Sequence, residues 1–340
     1  MTFSPFHLQK EPWSVGVDFG ADHVKLVCLK KSLNKHTLMA HGFFQRSAKK
    51  EIEEAFAHPS IRHGNIRVNI ENPSLKIRKI YIPPVPKEEI NQIIQWGFKD
   101  VLSEPPASYL FRHHTLPEEK DKKEKPYLVF AMQKTAVQKY LEELKNWKIP
   151  QPRILAPNAW SLFLLLKHHE IFQPEDRVVV IDFGHSTTLF FVAYDGGILF
   201  SRPLGGISGE SLTKQLGRNT GISDLEAETI KIGAKNEGLS EEIKKQLQST
   251  FSNFLSRVVI EIQRSMDAYM MQFSEQSVTK IFITGGGIRL LKLPEHIEET
   301  LKIKTLPLPV FEKIDTHLFD QEKLREKESQ YALACSLALA

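Results

Sequence analysis

The sequence predicts an α/β protein of two related lobes, the first of which carries a small inserted subdomain. Three observations lead there. The turn Asp-Phe-Gly is written twice, at Asp18-Phe19-Gly20 and at Asp182-Phe183-Gly184, each copy between apolar β-type runs. The two copies stand about one domain's length apart, as a duplicated unit would place them. Between them, from Ile77 to Trp147, the pattern changes to strand and helix in alternation.

The lobe boundaries follow the pattern: 1–174 for the first lobe with its insert at 76–150, 175–321 for the second lobe, and 322–340 for a closing helix that docks back on the first. The first lobe opens with a hairpin: Val15 to Val17, the turn at Asp18, then Val24 to Leu29. Ile66 to Ile70 continues it as a strand. In the insert, Ile77 to Ile82 reads as a strand, and Lys87 to Leu102 as a helix behind Pro83, Pro84 and Pro86. Its apolar face comprises Ile90, Ile93, Ile94, Phe98, Val101 and Leu102. Tyr127 to Met132 is a second strand, and Thr135 to Trp147 a helix for which Thr135 and Gln138 suggest a capping box. Pro117 to Pro126, mostly Glu and Lys, is a solvated loop.

The second lobe repeats the hairpin with Val178 to Ile181 and Thr188 to Ala193, then a strand near Ile198 to Arg202. Ser223 with Glu226 forms a capping box, and Ser240 caps a long helix whose first turn holds Glu241 and Glu242. A short strand, Lys280 to Ile283, runs into Thr284-Gly285-Gly286-Gly287, and the chain closes with a helix from Lys323 to Leu339.

Composition removes several function classes. With 41% hydrophobic and 25% charged residues, 340 residues suffice for two cores in a soluble protein. A dispersed net charge of +4 gives no basic stripe for nucleic acid. Cys28 and Cys335 alone exclude a disulfide framework and fit a reducing compartment. Met1 to Trp13 lacks the apolar core of a signal peptide, and no run reaches the roughly 18 apolar residues of a membrane span. The expected location is cytoplasmic, with any membrane association made through a partner.

The twice-written turn is suited to phosphate. Gly20 and Gly184 let backbone N–H groups approach phosphate oxygens, and Asp18 and Asp182 at the strand ends can hold Mg²⁺ through water. Gly285, Gly286 and Gly287 would leave room for a ribose or adenine, although alone they read equally as an ordinary strand-to-helix turn. Glu228 and Lys231, three apart on one helix face, would approach the nucleoside from the other side; without that context they are a surface ion pair. The pairs His113-His114 and His168-His169 read as exposed rather than metal-bound, and Trp160 to Leu166 as core.

These residues together resemble the actin-like ATPase superfamily, built on a duplicated ribonuclease-H-like unit, and within it the PilM family of type IV pilus assembly. Val15-Gly16-Val17-Asp18-Phe19-Gly20 with Val24 and Lys25 is similar to that family's first phosphate motif, with Ala21 at its turn. Ile181-Asp182-Phe183-Gly184 with Ser186, Thr187 and Thr188 resembles the second. Gly205-Gly206 before Leu212-Thr213 resembles its glycine pair, Ala227-Glu228 with Lys231 its nucleotide-side helix, and Glu261-Ile262 with Arg264-Ser265 a further helix. Thr284 to Gly287 is similar to its adenosine motif, and Tyr331 to Leu339 to its closing helix. The insert falls where PilM and its cell-division relative FtsA carry their extra subdomain.

The resemblance implies a cytoplasmic scaffold that binds ATP and Mg²⁺, with Asp18 and Asp182 at the metal. It also implies a groove for the N-terminal peptide of PilN, a membrane-spanning partner, along with contact to pilus motor ATPases and an oligomeric state left open. Two departures point to a degenerate site. Ala21-Asp22-His23 replaces small hydroxyl residues, and a carboxylate 4 Å from phosphate costs about 4 kcal/mol at an effective dielectric of 20. Ile154 to His169, where PilM relatives show a carboxylate, holds no acid, and Asn158 is its only amide. Slow or absent hydrolysis is expected. The alternatives are an active phosphotransferase or ATPase of the sugar-kinase type, an FtsA-like tether, and a cytoplasmic component like the L protein of type II secretion.

Overall fold

Two sheets of the same internal order carry the protein. The computed structural model describes residues 2–3, 13–33, 35–118, 122–173, 176–233, 239–273, 277–290 and 293–340. In chain order the first lobe comprises β1 (Thr2–Phe3), β2 (Ser14–Phe19), β3 (His23–Ser32), β4 (Lys35–Gln45), α1 (Lys49–Ala57), α2 (Pro59–Arg62) and β5 (Asn65–Ile70). The insert follows with β6 (Lys76–Ile82), α3 (Lys87–Gly97), β7 (Tyr109–Thr115), β8 (Lys125–Gln133) and α4 (Lys134–Asn146). The chain returns through β9 (Ile154–Pro157) and α5 (Asn158–His168).

The second lobe holds β10 (Val178–Phe183), β11 (Thr188–Tyr194), β12 (Gly197–Leu204), α6 (Gly209–Thr220), α7 (Asp224–Lys231), α8 (Glu241–Phe273), β13 (Lys280–Thr284), α9 (Leu293–Leu301) and β14 (Thr305–Pro307). Then β15 (Ile314–Asp315), α10 (Gln321–Glu326) and α11 (Ala332–Leu339) lead back to the first lobe.

The first sheet runs β1-β4-β3-β2-β5-β9, with β15 added beside β4, and the second runs β12-β11-β10-β13-β14. In each, an antiparallel trio built on the Asp-Phe-Gly hairpin is extended by two parallel strands, β5 and β9 or β13 and β14. The duplication legible in one turn therefore extends through whole sheets. The insert forms its own antiparallel sheet, β6-β8-β7.

A shared apolar core joins the lobes. It combines Val27, Leu29 and Leu38 of the first sheet, Leu162, Leu165 and Leu166 of α5, Val178, Val180 and Phe191 of the second sheet, and nearly all of α11. On β3 and β10 every second residue (Val27 and Leu29, Val178 and Val180) faces this core, and the residues between them face the lobes' own cores; α11 is apolar almost all round because neighbours cover it. Gly16 of β2 makes this packing possible: a Cβ there would lie 1.9 Å from the Ala334 carbonyl oxygen and 2.5 Å from the Ala338 nitrogen.

Several expected elements differ in the structure. The Thr135 capping box does not form, because α4 starts directly off β8 at Lys134 and Thr135 falls inside the first turn. α3 stops at Gly97, a weak helix former, leaving Val101 and Leu102 beyond it. β7 is a strand the sequence reading omits. The closing helix is broken into α10, a 3₁₀ turn at Glu328–Tyr331, and α11. That break is tied down: the Glu328 carboxylate accepts from the backbone N–H groups of Val310 and Phe311 at 3.1 and 3.2 Å, and Ser329 O accepts from Thr284 Oγ1 at 3.0 Å. His169 is buried, its Nε2 3.1 Å from Val310 O, whereas His113 and His114 are exposed. Residues 119–121 of the Pro117 to Pro126 loop lie outside the described residues. The Ser223 and Glu226 box and the Ser240 cap are present as expected.

Candidate functional site

The carboxyl ends of β2, β5 and β9 meet those of β10 and β13 across a cleft of about 1260 Å³. Such strand ends are where open α/β sheets bind ligands. Both hairpin turns close alike, Gly20 N–H donating to His23 O at 3.1 Å and Gly184 N–H to Thr187 O at 3.0 Å.

The two copies differ in charge. Asp18 pairs with Lys25 across the β2–β3 ladder, and its carboxylate accepts from Lys25 Nζ at 2.8 Å while only 6% exposed. In the second hairpin the residue opposite Asp182 is Leu189, so no lysine answers it. Burial pushes the Asp182 carboxyl up to about 6, the Asp18 carboxylate adding to the effect and Lys25 opposing it. A divalent cation between the aspartates would relieve that cost.

Asp22 reaches across the same turn. Its Oδ2 lies 2.7 Å from His23 Nδ1 and 4.0 Å from His185 Nδ1, one imidazole from each lobe. Burial holds His23 below its usual value, with Lys25 and His185 adding and Asp22 opposing. His23 is therefore neutral at pH 7 and leaves the Asp22 charge uncompensated on its own side.

Of the residues singled out in the sequence, Asp18, Gly20, Ala21, Lys25, Asp182, Gly184, Ser186, Thr187, Glu228, Lys231, Gly285, Gly286 and Gly287 all line this cleft. Gly205 and Gly206 do not; they form the turn between β12 and α6. Gly285 has φ +82°, and a Cβ there would stand 2.6 Å from Asp182 Oδ1 and from Phe183 O, so the backbone of this turn must lie bare against the second hairpin. Lys231 is 4% exposed and donates to Gly209 O at 2.9 Å, Thr213 Oγ1 at 2.7 Å and Glu228 Oε1 at 2.7 Å. Its ammonium braces α6 against α7, and all three of its protons are used.

Sequence reasoning missed Asn69 and Glu71, the next-to-last residue of β5 and the residue just beyond the strand. Asn69 Oδ1 accepts from Phe19 N–H at 2.8 Å, and Asn69 Nδ2 donates to Asn158 Oδ1 at 3.3 Å. The Asn158 backbone lies close enough to the Glu71 carboxylate to favour its charged form. Glu71 is exposed to solvent in the cleft while protein crowds its other sides. That crowding pushes its carboxyl up to about 7, with the Asp182 charge adding and the Asn158 backbone opposing. The one available signal was position: a polar pair ending the strand beside β2.

The residues fit a magnesium nucleotide. Among the described residues no group of three or more His, Cys, Asp or Glu could hold a metal alone, so Mg²⁺ would take phosphate oxygens and water as well. Thr188, fully buried beside the second turn and lining the cleft, leaves its hydroxyl oxygen without a partner among the described residues. No described helix is long and apolar enough to cross a membrane.

Residues 159–340 match the family described as type IV pilus assembly protein PilM. No curated protein is matched by sequence. Among solved structures, the chain is similar to that of a PilM-PilN type IV pilus biogenesis complex, with 21% identity over 96% of this chain and 97% of that one, at a TM-score of 0.81. It is also similar to the ethanolamine utilization protein EutJ from Carboxydothermus hydrogenoformans, with 13% identity over 99% and 92% of the two chains and a TM-score of 0.52. The fold is the bilobed actin-like one with the insert expected from the sequence. With more than half of its length matched by the family, this chain belongs to the PilM family of type IV pilus assembly proteins.

Proposed function

We propose that the protein is a cytoplasmic scaffold of pilus assembly whose cleft binds ATP with Mg²⁺ and whose lobes also present a groove to the N-terminal peptide of a PilN-like membrane protein. One observation carries the nucleotide reading: two glycine turns of matched geometry face each other with Asp18 close enough for its charge to bear on Asp182. The partner reading rests on family membership and on likeness to a PilM seen with PilN. Asp18 and Asp182 hold the metal through water, the hairpin N–H groups and Ser186 and Thr187 hold phosphates, and Gly285 to Gly287 leave space for the nucleoside. Attachment to the inner membrane is then indirect, through the partner.

Asp22 sets the affinity. Its carboxylate occupies the approach to the phosphates, and the neutral His23 beside it does not cancel the charge. Titration calorimetry with ATP and Mg²⁺ is expected to show weak binding by the native chain and about tenfold tighter binding by Asp22→Ser, worth about 1.4 kcal/mol. Equal affinities would remove Asp22 from the account. The same titrations, repeated with a synthetic PilN-type peptide, test coupling between the sites: peptide affinity should change when nucleotide saturates the cleft, and an unchanged affinity would discard the coupling.

A further inference from the structure

The segment Ile154 to His169 holds no acid, yet the fold brings one to its first helical residue from another strand. Register places it there. β5 lies between β2 and β9, with Val17 beside Val68 and Ile70 beside Pro157. Glu71 therefore emerges level with Asn158 and with the first Asp-Phe-Gly turn.

Two hydrogen bonds order this corner, Phe19 N–H to Asn69 and Asn69 to the Asn158 side-chain amide, and the Asn158 backbone lies close enough to the Glu71 carboxylate to favour its charged form. In the second lobe the corresponding strand, β13, ends in the bare glycine turn at Gly285. The two halves of the duplication thus place backbone space on one side of the cleft and a carboxylate on the other. Among the other acids lining the cleft, Asp18 is held by Lys25, Asp22 contacts two imidazoles, and Glu228 is bound to Lys231. Glu71 has no ion pair among the described residues, and Asp182 faces the first lobe from the opposite hairpin.

We propose that Glu71 is the general base of a slow nucleoside triphosphatase, oriented by Asn158 and Asn69 as positioning residues. The inference rests on the reading that ATP occupies this cleft. In the step, a water oxygen forms a bond to the terminal phosphorus while the bridging P–O bond breaks and its electron pair leaves on the diphosphate. The Glu71 carboxylate accepts the water's proton, then releases it to solvent after ADP and phosphate form. Its carboxyl, raised to about 7 by the cleft walls, is basic enough to take that proton at neutral pH.

The test uses the full chain and measures binding and chemistry separately. ATP and Mg²⁺ affinity is measured by calorimetry for the native chain, Glu71→Gln and Glu71→Asp. Each is then incubated at saturating ATP, free phosphate is measured, and the bound nucleotide is identified by chromatography. Gln matches the shape of the protonated acid, and melting curves verify that both variants fold. Glu71→Gln is expected to bind within a few-fold of native, release phosphate about a hundredfold more slowly, and retain bound triphosphate where the native chain holds diphosphate; Glu71→Asp should fall between them. Native rates in Glu71→Gln, or bound ATP that the native chain never hydrolyses, would overturn the base assignment alone. Failure of all three to bind ATP would overturn the nucleotide reading and the base with it.

Discussion

Gly16→Val is expected to yield no folded protein, and Gly16→Ala to unfold well below the native temperature. The reason is a backbone-to-backbone contact. A methyl at position 16 would meet the Ala334 carbonyl at 1.9 Å and the Ala338 nitrogen at 2.5 Å, and neither is a flexible side chain that can swing away. Either β2 or α11 must move, and α11 is buried from Ala332 to Ala338. Overpacking of a well-packed core costs about 1–3 kcal/mol, and a clash with backbone belongs at or above the upper end. The control is Gly97→Ala at the end of α3, where no atom lies within 4 Å of the added methyl. That change should leave the melting temperature unchanged or raise it, by up to about 1 kcal/mol of stability. Equal melting temperatures for Gly16→Ala and the native chain would show that the helix tolerates displacement.

Lys25→Met should destabilise the protein by about 3–5 kcal/mol at pH 8, because removing one partner strands the buried Asp18 carboxylate. It also removes the one cation that opposes the rise at Asp182. The sign with pH follows from that carboxyl, which sits at about 6 in the folded chain and lower in the unfolded one. Its contribution to stability is fully present below the unfolded value near 4 and is lost as pH rises through about 6. The loss in Lys25→Met should therefore be smaller at pH 5 than at pH 8, and adding Asp182→Asn should flatten the difference. Denaturant unfolding in metal-free buffer at both pH values measures it; a pH-independent loss would mean that Lys25 does not hold down the Asp182 carboxyl.

What the sequence disclosed depended on whether the cause was local. The hairpins at Asp18 and Asp182 were legible because apolar strands around an Asp-x-Gly turn are determined within about a dozen residues. The same holds for the Ser223 and Glu226 box, which is complete in four. Glu71 was not legible, because only strand order places it beside Asn158, 87 positions away in the sequence. The interruption of the closing helix was hidden for the same reason: no glycine or proline marks it, and the bonds that hold Glu328 and Ser329 come from Val310, Phe311 and Thr284. Lys231 read as a nucleoside contact or, without that context, as half of a surface ion pair. Its burial under α6 depends on a helix contact that spacing alone does not reveal.

The seat of α11 against β2 has a consequence for how the protein is made. The hairpin strand β2 and the helix that covers it are more than three hundred residues apart. During synthesis the first lobe must wait, its sheet uncovered, until α11 has left the ribosome, while the second lobe can assemble its own five strands sooner. Closing so long a loop is slow, and an open apolar sheet face is prone to aggregate in the interval. Refolding should accordingly show the second lobe forming early and the first lobe completing late, with chaperone dependence concentrated in that delay.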